Sequence, residues 1–85
     1  MPYIKPHHRL IVDKEIKALA RKIKDKGTLN YCLTMLATDY VSKNTVNYDN
    51  LSSVHGVLAD VKAEYYRRLV APYEDRKIEE NRDVL

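Results

Sequence analysis

Residues 47–71, read as a helix, carry apolar or small side chains around most of the circumference. Only Ser53, Asp60, Glu64, Arg67 and Arg68 are left for open water, with Glu64 and Arg68 ordered as an i,i+4 ion pair. At about 100° per residue, Leu51, Val54, Leu58, Val61, Tyr65 and Leu69 fall close to one line, an ordinary core stripe. Roughly 120–180° away runs a second line of small residues, Ser52, Gly56, Ala59 and Ala63, which Val70 continues. His55, Lys62, Tyr66 and Tyr73 lie between the two. A helix apolar on so many sides does not suit the outside of a two-layer domain, so it is central or shared between copies. A row of small side chains admits a second helix at close range, and Gly56 otherwise costs about 1 kcal/mol in a helix interior. The row therefore reads either as an oligomer interface or as a solvated strip in which alanine serves helix propensity.

The chain length makes sharing between copies attractive. Eighty-five residues suffice for one domain, 1–85. A chain of this size buries only roughly 60–65% of the surface that its unfolded form exposes. Cys32 is the single cysteine, which rules out an intrachain disulfide and a cysteine-rich zinc site. A second copy is the remaining source of extra stability, so a homodimer or higher homo-oligomer is expected.

The other bulk properties restrict function mainly by exclusion. No apolar run reaches the ~18 residues of a membrane span, and no signal peptide is visible, so a cytoplasmic location without membrane association is the default expectation. Residues 1–43 hold nine Lys/Arg against four Asp/Glu, and residues 44–85 hold six against eight, giving +5 and −2. Such a field attracts polyanions weakly, or aligns one half of a copy with the other half of its neighbour. Phe and Trp are absent while Tyr occurs seven times, so bulk comes from rings with a polar tip.

Local signals predict four helical pieces. Residues 1–12 read as an extended arm, because Pro6 disfavours helix at Lys5. Asp13 opens a helix over 13–26, in which Ile16, Leu19, Ala20 and Ile23 recur at helical spacing and Gly27 is a C-terminal cap. Thr28 caps a second helix over 28–42, with Leu29, Cys32, Leu33, Leu36, Ala37 and Tyr40 facing inward. The short turn predicts that these two helices form an antiparallel hairpin. Asn47 caps the long third helix, stapled by Val46 and Leu51. Pro72 breaks or kinks it, and a short helix follows over 72–81 before a tail, 82–85.

Only one constellation suggests chemistry. Tyr66, Arg67, Arg68 and Tyr73 combine stacking rings with planar donors, which suits an anionic small ligand such as a nucleotide if they converge. In the alternative, Arg67 or Arg68 pairs with Glu74, Asp75 or Glu79 and pins the tail. His7, His8 and His55 lack any recognised ligand spacing, so no metal is expected. Cys32 sits on an inward stripe and reads as a small hydrophobe. No glycine-rich phosphate loop, nucleophile elbow or carboxylate pair in an apolar setting is present, so neither a catalytic residue nor a cofactor is expected. The basic first helix has no helix-turn-helix partner, which leaves nucleic-acid binding a third reading.

Several blocks carry a family likeness: Met1-Pro2-Tyr3-Ile4, Leu29-Asn30-Tyr31, Gly56-Val57-Leu58, Lys62, Glu64 and Tyr66-Arg67-Arg68. Ala71-Pro72-Tyr73-Glu74-Asp75, Lys77-Ile78 and Glu80-Asn81 extend it, and the first of these is the most specific. On these residues the chain resembles a family of small proteins scattered through bacteria and bacteriophages and known only as a domain of unknown function. It departs from that pattern at Arg82, where the family has glycine before Asp83-Val84. The resemblance implies no activity. The expectation is an all-α protein: a helical hairpin plus a long third helix with a Pro-broken C-terminal extension, oligomeric and non-enzymatic. Its leading role is to bind a protein partner or to form a scaffold, with anionic-ligand binding as the alternative.

Overall fold

A computed structural model describes residues 1–85. All its regular structure is helical, with no strand: α1 spans Pro6–Ala20 and α2 spans Lys26–Lys43. A continuous rod follows, made of α3 (Tyr48–Tyr65), a π-turn (Tyr66–Val70) and α4 (Ala71–Asn81).

The caps explain these boundaries. Asn47 is extended, and its side-chain oxygen accepts from Asn50 N at 2.8 Å, which starts α3. Asn50 Nδ2 donates back to Thr45 O at 2.8 Å and secures the entry into the helix. At α2, Asp25 rather than Thr28 is the cap, and Thr28 N donates to Asp25 Oδ1 at 2.7 Å. A carboxylate meets an orphan N–H at the positive end of the helix better than a hydroxyl does. Gly27 is thereby drawn into the first turn of α2 and does not close α1. Because Asp25 is extended (φ −148°, ψ 169°), the chain leaves α1 earlier, at Ala20, through tightened bonds from Lys22 N to Leu19 O and Ile23 N to Ala20 O.

Pro6 also acts differently from the sequence reading. It keeps Lys5 extended but is itself the first helical residue, where its missing N–H costs nothing. The arm therefore shortens from 1–12 to 1–5, and Leu10, Ile11 and Val12 belong to α1.

The hairpin forms between α2 and α3, not between the first two helices. α1 makes no helix–helix contact with either of them. Five connecting residues, 21–25, replace the predicted tight turn. Val12, Ile16 and Leu19 still share one face of α1, and that face stays exposed, as do Leu10 and Ile11 on its other sides.

Pro72 does not break the rod. A proline ring at this position opposes the carbonyl of Arg68 and offers it no donor. The chain widens by one π-turn instead, in which Ala71 N donates to Tyr66 O, and the helix resumes in α4.

Very little of the molecule is covered. Val41 is its one buried residue, at 5% exposure, beside the α2–α3 turn. The dimensions are 50 × 31 × 29 Å and the radius of gyration is 16.6 Å. A compact chain of this length would have a radius of about 12 Å.

Candidate functional site

The charged constellation is organised by the N-terminal arm, through two residues that the sequence reading did not connect. Tyr3 Oη donates to Glu64 Oε1 at 2.7 Å, 61 positions along the chain. Arg67 Nη2 donates to the same oxygen and forms an ion pair with it. Arg68 Nη1 approaches Tyr3 Oη at 3.4 Å. Glu64 thus pairs with the residue three positions on, not with Arg68 at four, because the π-turn that begins at Tyr66 ends regular α spacing there. Arg67 and Arg68 form no ion pair with Glu74, Asp75 or Glu79.

The Tyr3 hydroxyl, and after it Arg67, hold the Glu64 carboxyl below the ordinary value of 4.5. Glu64 in turn raises Arg67. This is the behaviour of an ion-pair latch. A carboxyl arranged to accept and release a proton near neutrality has the opposite shift.

The four candidate ligand residues face three cavities or none within one copy. Arg68 lines a recess of about 310 Å³ together with Pro2, Tyr3, Val61, Glu64, Tyr65 and Leu69. Arg67 lines another of about 290 Å³ with Met1, Pro2, Asp60, Ala63 and Glu64. Tyr66 faces the apolar groove between α2 and α3. Tyr73 stands apart under two cations, with the Arg76 guanidinium 5.6 Å and the Lys77 ammonium 5.5 Å from its ring centre.

The larger feature is apolar. One trough of about 480 Å³ is lined by Leu33, Leu36, Ala37, Tyr40, Val54, Val57 and Leu58, with Ser53. A second of about 950 Å³ runs from Leu29 and Leu33 to Ala59, Ala63, Tyr66 and Val70, and its one ionisable side chain of fixed charge is Lys62. Leu33 and Leu58 line both, so the two are continuous. Across α3 a third recess, of about 370 Å³, holds His55 with Val41, Val46 and Leu51. The hydroxyls of Thr34 and Thr38 beside it donate to Asn30 O and Thr34 O on their own helix.

The small-residue row is split by this geometry. Ala59, Ala63 and Val70 line the groove. Ser52 is exposed, and a Cβ added at Gly56 would meet nothing within 4 Å. His7 and His8 stack edge to face with ring centres 4.1 Å apart, and no three His, Cys, Asp or Glu side chains lie close enough to share a metal ion. Cys32 is a free, half-exposed thiol on α2. No helix is long and apolar enough to cross a membrane.

Comparison with known families gives one match. A family model described as a domain of unknown function (DUF6899) matches residues 1–84. No curated protein and no solved structure matches the chain.

Proposed function

The chain belongs to the DUF6899 family, whose description states no activity, and we propose from its geometry that it is a non-enzymatic helical interaction protein. It works as a homo-oligomer and serves as a scaffold or docks onto a protein partner. One observation carries this reading. The chain exposes 8007 Å². A folded monomer of 9.9 kDa exposes about 5200 Å². The excess, roughly 2800 Å² over the whole chain, is of the order that obligate partners bury. Tyrosines supply most of the large rings, as suits surfaces that are partly wet. Light scattering across a hundredfold concentration range tests the reading. A mass of two or more copies supports it, and a folded single copy of 9.9 kDa at the highest concentration overturns it.

A second reading, binding of an anionic small ligand such as a nucleotide, draws on Arg68. That guanidinium opens onto a recess and has no carboxylate partner of its own. A thermal-shift screen against nucleotides tests it. A rise in melting temperature that disappears in Arg68→Ala supports it, and a flat screen removes it.

A further inference from the structure

We infer that the continuous trough along α2 and α3, centred on Leu33 and Leu58, is the seat of a second copy of this chain, related by a twofold axis. This rests on the self-assembly reading and adds the surface and the symmetry. Leu33 is 47% exposed and Leu58 is 42% exposed, although each lines both sections of the trough. Positions at the midpoint of an apolar face lie where a partner contributes most binding energy.

The area identifies the occupant. The roughly 2800 Å² excess is spread over the whole chain, α1 included, but covering half of it on each copy already buries about 2800 Å² in total, which falls in the obligate class. An obligate partner must be present whenever the chain folds, and a second copy always is. A twofold interface also covers both copies with one contact, leaving no open edge from which a filament could grow. The lining is apolar with Lys62 as its one fixed charge, so nothing in it selects a charged ligand. Four helices, α2 and α3 from each copy, then enclose a common core. This gives the leucines of α2 the burial that the single chain denies them.

The test uses the full chain with Leu33→Ala, Leu33→Glu and Leu33→Lys, followed by sedimentation and circular dichroism. Leu33→Ala, which keeps helix propensity, is expected to weaken self-association at least ~30-fold. Leu33→Glu and Leu33→Lys alone are expected to give single or unfolded copies. Mixing them in equal amounts restores a helical dimer, because a twofold contact sets the two charges on facing patches. A wild-type oligomer that Leu33→Ala leaves unchanged overturns the surface while sparing self-assembly. Loss of self-association in both charged variants without recovery on mixing overturns the placement of Leu33 beside the twofold axis. A monomeric wild type overturns both this inference and the reading beneath it.

Discussion

Gly56→Ala separates the two faces of α3 with one methyl group. In the isolated chain the new Cβ has no neighbour within 4 Å. The substitution then acts only on the backbone: alanine loses less conformational entropy than glycine on entering a helix, which is worth about 0.8–1.0 kcal/mol at an interior position. Gly56 lies in mid-helix, nine positions after the Asn47 cap, so the full effect applies. For a chain of this size the gain corresponds to a rise of about 4–8 °C in melting temperature. The assay is calorimetry at fixed protein concentration, because the midpoint of an oligomer moves with concentration. Sedimentation alongside it should give an unchanged association constant. A lower melting temperature with weaker association refutes the reasoning. It would mean that a neighbouring helix needs the space above Gly56, and that the second copy sits on the small-residue row instead of the trough.

Three further outcomes are expected. Tyr3→Phe removes the first donor to Glu64, so the carboxyl should move up toward 4.5 in a side-chain titration followed by NMR. In the wild type, the lowered value means that the latch is complete above the ordinary glutamate range and lost as pH falls through the folded-state value, so protection of the Ile4 amide, relative to its intrinsic exchange rate, should fall only in acid. Asn47→Ala should cost about 1 kcal/mol in urea unfolding while Asn47→Asp should not, since the cap requires only an acceptor for Asn50 N. Arg82→Gly should slow exchange at the end of α4 by about 0.5–1 kcal/mol of local stability, because Arg82 holds φ 72°, ψ 147°, a region suited to glycine.

Local rules fixed much of this fold, and their limits account for the rest. The Asn47 cap, the all-helical character and the length of the last rod follow from spacing and propensity within a few turns. Pro6 satisfies two rules at once, since its fixed φ suits an extended arm and a first helical residue equally, and the nearby sequence does not choose between them. Asp25 and Thr28 are both acceptable caps three positions apart. The choice of Asp25 moves the end of α1 back by six residues from the expected boundary and turns a tight hairpin into an open connection. Tyr3 and Glu64 carry no periodic relation, so their pairing is invisible to any local pattern. Arg82 is the one non-glycine residue with positive φ, and no periodic pattern announces it either.

Pro72 has the widest consequences of any single residue in the candidate site. Adjacent residues on a helix diverge by about 100°, so Tyr66, Arg67 and Arg68 cannot share one pocket on regular backbone. Tyr73, seven positions after Tyr66, should have returned to the same face. The wide turn inserts one extra residue between them and rotates everything beyond Val70 relative to α3. Tyr66 therefore remains in the apolar groove while Tyr73 turns to Arg76 and Lys77. By forcing that turn, the proline keeps the rod continuous and also disperses the rings and guanidiniums that a single-copy anion site would need. If these side chains act on a ligand, groups from another copy must complete the site, so even the alternative function requires assembly.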